Sequence, residues 1–238
     1  MKNLILLLSV LSIISCKTVQ MTDLRPIGAN SNLLPALEPQ VDIASFQTAY
    51  SFGTTNTTGS TVGYGTKALG GVVGVGAFAG QSVALADKRV QDAIVLYERD
   101  IRENVSFGNS NSVGTAVCKI TTGGTKTDGF GWCILSILTM TIPNWFGMPM
   151  LYYNTELELE VEIQDCNGST IGRYTGYGFK RIPYAAWHGY GGSFHVTDGG
   201  DGPRKSNIDA FKMAMAEIKS KIAVDYNRLK IELEECKK

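Results

Sequence analysis

Thr155-Glu156-Leu157-Glu158-Leu159-Glu160-Val161-Glu162-Ile163-Gln164-Asp165 alternates apolar and acidic residues without a break. Side chains along a strand point to opposite faces with a period of two, so this stretch predicts a strand with one buried and one wet face. Asn167-Gly168 follows, a strong signal for a type I′ hairpin turn. A two-residue turn there sets Glu162 opposite Arg173, Val161 opposite Tyr174 and Glu160 opposite Thr175. In the same register Gly172, Gly176 and Gly178 fall on the apolar face, where missing side chains let a helix lie close to the sheet. The Glu side chains read as the polar face of a half-exposed strand, since paired carboxylates for glycoside hydrolysis need a cleft and facing positions.

Elsewhere the periodicity changes. Val83, Ala86, Val90, Ile94, Tyr97, Ile101 and Val105 recur at threes and fours and predict an amphipathic helix over 83–105, with Asp87, Lys88, Arg89, Asp92, Glu98, Arg99, Asp100 and Glu103 on its solvated face. Ile208, Phe211, Met215, Ile218, Ile222, Leu229 and Leu233 predict a final helix capped by Ser206 or Asn207. The β-branched and aromatic residues of 41–52 suggest a first strand, and 113–121 a second. The turn-rich 122–129 leads into an apolar run from Phe130, so a hairpin centred on Thr125 and Lys126 would face Cys118 to Cys133. A disulfide between them would close a loop of about 15 residues and contribute about 3 kcal/mol in the chain-entropy model. The residues 183–203 read as a long aromatic and glycine-rich loop. Two amphipathic helices and a mostly antiparallel sheet predict an α+β fold, a two-layer sandwich.

The start of the chain speaks to location. Met1-Lys2-Asn3 precedes an apolar run from Leu4 to Ile14, then Ser15 and Cys16. The run is too short to cross a bilayer, which takes about 20 apolar residues. A basic start, an apolar centre and a small residue before cysteine resemble the signal peptide and lipobox of bacterial envelope lipoproteins. That resemblance implies cleavage after residue 15 and lipidation of Cys16 with several acyl chains (palmitate). Lys17 stands where an inner-membrane retention signal would carry Asp, which favours the outer membrane. The expected organisation is a signal peptide over 1–15, a lipidated tether over 16–40 and a single α+β domain over 41–238.

Lys and Arg balance Asp and Glu at 22 each, giving a formal net charge of zero. A non-specific nucleic-acid binder needs a basic excess to release counterions, so nucleic acid is excluded as a partner. No metal and no cofactor are expected. His188 and His195 lack neighbouring acidic or cysteine ligands in the sequence, Asp198-Gly199-Gly200-Asp201-Gly202 lacks the closing Glu of a calcium loop, and neither a nucleophile elbow nor a phosphate loop is present. Two uncharged stretches stand out. Residues 68–86 carry small-residue spacings (Gly70 and Gly74, Gly76 and Gly80) that allow close packing in lipid. Residues 129–155 contain Trp132, Trp145, Phe146, Tyr152 and Tyr153, side chains suited to a membrane interface or a protein partner. The second stretch reads as buried core, as a membrane-dipping or partner-binding loop, or as a pore-forming hairpin.

Residues 156–180 with the helix 206–235 are similar in element order to small α/β domains of envelope lipoproteins, such as the curli-secretion channel subunit and the lipoprotein activators of peptidoglycan synthases. That resemblance implies a domain that binds or oligomerises and performs no chemistry. The expectation is therefore a non-catalytic, outer-membrane-anchored lipoprotein, periplasm-facing, acting in envelope assembly or transport through an envelope protein partner. An oligomeric membrane channel or secretion subunit, a homo-oligomer, is the alternative, and an enzyme of unknown type the second alternative.

Overall fold

A computed structural model of the chain describes residues 19–28, 32–52, 88–107, 112–129, 134–135, 138–139, 148–149, 151–184 and 201–235. The alternating stretch lies in strand β3 (Leu151–Gln164), flanked by β2 (Gly114–Asp128) and β4 (Thr170–Tyr184). Both neighbours are antiparallel to it, and the short strand β1 (Leu37–Val41) adds to β2 in parallel. The sheet order is β1-β2-β3-β4. Helices α1 (Ile43–Phe52), α2 (Lys88–Asp100), α3 (Asp201–Val224) and α4 (Tyr226–Glu235) complete the fold. The described elements form an α+β sandwich with a mixed, mainly antiparallel sheet.

The β3–β4 register is the expected one: Glu162 faces Arg173, Val161 faces Tyr174 and Glu160 faces Thr175. The turn differs. Gln164 pairs with Thr170 after an irregularity, so the loop is wider than two residues. Asp165 organises it, its Oδ1 accepting from the N–H groups of Asn167 and Ser169 at 2.8 Å each. Gly168 supplies the left-handed backbone, at φ 78°. An aspartate that bonds the backbone beyond it offers the chain an alternative to the tight turn.

The glycines of β4 do seat a helix. A Cβ on Gly176 would overlap the carbonyl of Ala214, and one on Gly178 that of Ala210. α3 thus lies directly on the strand. Its Ile208, Phe211, Met215, Ile218 and Ile222 fill a common core with Leu157, Leu159, Val161 and Ile163 of β3.

Four expectations are corrected. First, 41–52 does not continue as a strand: Asp42 Oδ1 accepts from the N–H groups of Ala44 and Ser45, an N-cap that starts α1. Phe46, Ala49 and Tyr50, at helical spacing, are buried. Second, β2 does not turn at Thr125. It runs on to Asp128, paired with β3 from Thr122 onward after an irregularity at Thr121. Gly123 serves close approach, since a Cβ there would stand 2.6 Å from Leu157 Cδ2. Third, Ser206 and Asn207 lie inside α3, which begins at Asp201, and a separate helix follows at Tyr226. Fourth, the folded body begins before residue 41. Leu24, Leu34 and Leu37 are buried in the core, and Val19 packs against it. The helix predicted over 83–105 is described from Lys88, and its last turn, Ile101–Val105, widens into a π-helix.

Candidate functional site

The segment 19–28, expected to be tether, is a strap bound to the helical layer. Met21–Leu24 makes a short 3-10 turn. The Gln20 N–H donates to Asp23 Oδ2 at 2.9 Å, and Leu24 inserts into the core. Cations from α2 and α3 then hold the strap. Lys205 Nζ lies 3.0 Å from Asp23 Oδ1 and 2.7 Å from Asp209 Oδ1. Arg99 donates to the Leu24 carbonyl at 3.5 Å.

The deepest clamp is Lys219. Its ammonium donates to the Ile27 carbonyl, to the Gly28 carbonyl at 3.1 Å and to Asp100 Oδ1 at 2.8 Å. An ammonium carries three N–H donors, so these oxygens satisfy it completely. The side chains of Lys219 and Asp100 are 5% and 2% exposed. Burial pushes the Asp100 carboxyl above its ordinary range, against the pull of Lys219 and of Asn104, whose Nδ2 donates to it at 2.6 Å. Gly28, at φ 76°, takes a left-handed conformation where the strap offers its carbonyl to Lys219. Only glycine adopts that region without steric cost.

Beside the strap, Arg25, Pro26, Arg99, Glu103 and Asn104 line a shallow depression of about 390 Å³. Met21 and Ile27 project from the same segment, 81% and 53% exposed.

The opposite face of the sheet carries the acidic residues of β3, two of which, Glu160 and Glu162, pair with cations of both neighbouring strands. Lys119 of β2 lies 2.8 Å from Glu160 and 3.1 Å from Glu162. Arg173 of β4 reaches the same carboxylates at 3.3 and 2.9 Å. The Lys119 bond holds the Glu162 carboxyl below its usual range, helped by the Arg173 charge. Further along this face Thr122 donates to Glu158 at 3.0 Å, and Arg181 stacks 4.0 Å over the ring of Tyr152. Tyr177 and Phe179 stand 54% and 40% exposed. Among the described residues, no group of three His, Cys, Asp or Glu side chains could hold a metal ion.

The residues singled out in the sequence fall in different places. Cys16, Trp132, Cys133, Trp145 and Phe146, and the stretch 68–86, lie outside the described residues. Tyr152 belongs to the open face. Tyr153, on the other side of β3, packs edge-on to Tyr184 at 5.6 Å and against Gly202 of α3, and burial pushes its hydroxyl up to about 12. Cys118 is a free thiol, fully buried, so the proposed Cys118–Cys133 disulfide is not formed. Its side chain points into the core, where a continuous β2 places it opposite Val161. Cys166 is disulfide-bonded.

Sequence reasoning missed the strap and its clamps. Asp92 and Asp100 read as solvated charges, yet both are buried: Arg204 bonds Asp92 through Nε and Nη2, and Lys219 bonds Asp100. Nothing in the run Glu98-Arg99-Asp100 distinguishes the member whose partner is 119 residues away.

The chain matches no family model, no curated protein and no solved structure. The geometry itself offers two surfaces: a clamped N-terminal strap with exposed apolar side chains, and a sheet face of paired charges and aromatic rings that no described element covers.

Proposed function

We propose that this chain is a lipoprotein of the bacterial outer membrane, acylated at Cys16, whose periplasm-facing domain works without chemistry, by protein contacts in envelope assembly or transport. The observation that carries the reading is the sequence Lys2 to Cys16 followed at once by a clamped strap. The Cys16 position is joined to the body through a segment held by Lys205, Arg99 and Lys219. Such a join transmits an anchor's position to the whole domain. The disulfide at Cys166 suits an oxidising compartment outside the cytoplasm. The open sheet face, with Tyr177, Phe179 and the Arg181–Tyr152 stack, offers the aromatic and arginine side chains that protein interfaces favour.

Intact mass measurement of the protein extracted from membranes tests the first part. The expected species starts at Cys16 and carries acyl chains, and the Cys16→Ala variant loses both the acyl mass and membrane partition. A mature protein with an unmodified Cys16 would overturn the reading. Crosslinking from position 177 in membranes, followed by identification of the adduct, tests the contact role. Adducts with no protein, or only at a catalytic small-molecule substrate, would count against it.

A further inference from the structure

We propose that the strap surface of Met21, Arg25 and Ile27, with Arg99 of α2, rests on phospholipid headgroups and fixes the orientation of the domain on the membrane. This rests on the acylation of Cys16 proposed above. Lys17 and Thr18 alone separate Cys16 from Val19, which already packs against the core. A chain spans at most about 3.3–3.6 Å per residue, so an acylated Cys16 holds Val19 within roughly 11 Å of the lipid-bearing residue. A body tied that closely lies against the bilayer, and the surface around the tie must meet the headgroups.

That surface has the chemistry for it. Met21 and Ile27 are strongly exposed, whereas the strap's leucine, Leu24, is buried. In the depression that Arg25 and Pro26 line, Arg99 is paired with Glu103 at 3.1 Å, which leaves the charge of Arg25 uncompensated. Apolar side chains at the acyl boundary with arginines at phosphate level are the combination that seats a peripheral segment in an interface. The orientation is rigid because the strap does not swing: Asp23, Leu24, Ile27 and Gly28 are each bonded to α2 or α3. Those helices cover one side of the sheet. A strap-down domain therefore turns the other side, with Tyr177 and Phe179, away from the strap and towards protein partners.

Hydroxyl-radical footprinting of the purified acylated protein in phosphatidylethanolamine–phosphatidylglycerol vesicles, against the Cys16→Ala protein in solution, tests this. The expected result is oxidation of Met21 reduced by at least about threefold on vesicles, as for an inserted interfacial side chain, with Tyr177 unchanged. Arg25→Glu, at a side chain that makes no hydrogen bond or ion pair among the described residues, is expected to restore much of the Met21 reactivity. Equal Met21 reactivity in both states, equal protection of Met21 and Tyr177, or protection in native membranes but not in protein-free vesicles would each overturn the proposal, the last by assigning the strap to a protein. Intact mass is read on the same sample. Acylated protein with an unprotected Met21 overturns the seat alone, whereas unacylated Cys16 overturns the lipoprotein reading and the seat with it.

Discussion

Lys219 Nζ lies 2.8 Å from Asp100 Oδ1, with both side chains almost wholly out of water. The pair joins α3 to α2 and, through the carbonyls of Ile27 and Gly28, joins both helices to the strap. Removing one partner leaves a buried charge uncompensated, at a cost of about 3–5 kcal/mol. Lys219→Met is expected to lose that much in urea denaturation. Adding Asp100→Asn should recover part of it, and amide exchange over 19–28 should accelerate in both variants. A Lys219→Met protein within about 1 kcal/mol of wild type would show that the clamp contributes little.

The contact between β4 and α3 predicts a contrast among glycines. Gly178→Ala places a methyl group on the Ala210 carbonyl and is expected to destabilise by about 1–3 kcal/mol or more. Gly124→Ala, with nothing within 4 Å of the new methyl, is expected to change stability by less than about 0.5 kcal/mol. Thermal unfolding of the two variants checks the contrast. Equal melting temperatures would remove close helix approach as the reason for the β4 glycines.

At the outer edge of β4, which pairs with no further described strand, helical side chains bond the backbone groups that another strand would otherwise use. The Tyr177 N–H donates to Glu217 at 2.9 Å, the Thr175 carbonyl accepts from Lys221 at 2.6 Å, and the Ile171 carbonyl accepts from Arg228 at 2.7 Å. Charged residues over an edge block edge-to-edge pairing. The double variant Glu217→Ala, Lys221→Ala is expected to keep its monomer stability within about 1 kcal/mol, because such exposed pairs contribute little. It is also expected to aggregate faster, as read by light scattering during partial denaturation. Unchanged aggregation would count against this protective role.

The Lys119–Glu162–Arg173 ladder predicts an acid dependence of small size. Glu162 is held below its ordinary 4.5 by the Lys119 bond first and by the Arg173 charge. A carboxyl depressed in the folded state stabilises it above the unfolded pKa, and that contribution fades as pH falls through the folded value. Glu162→Gln is therefore expected to cost about 0.2–1 kcal/mol at pH 7, a typical cross-strand pair, and nothing at the acid end. A penalty independent of pH would point to shape rather than charge.

Burial pushes the Cys118 thiol well above its ordinary range, leaving almost no thiolate to react. Iodoacetamide is expected to leave Cys118 unlabelled in the native protein and to label it in denaturant, with Cys166 labelled only after reduction. Native labelling of Cys118 would mean that β2 opens readily.

How much could be read beforehand depended on how local the cause was. The alternation of 155–165 and the spacing of Gly172, Gly176 and Gly178 set the β3–β4 register and the seat of α3, because strand faces and close approach are encoded in neighbouring residues of one hairpin. The apolar period of α2 was equally plain. The same composition misled at 41–52, where Asp42 as a cap outweighed strand propensity, and at Gly123-Gly124, which lie within a strand. The tertiary structure alone decided which charges are buried, that Cys118 stays a thiol in the core, and that the segment after Cys16 is a clamped strap rather than a loose tether. Lys219 and Asp100 look like any surface pair until folding removes water from around them. Only the meeting of α2, α3 and the strap supplies the oxygens that make a buried ammonium tolerable.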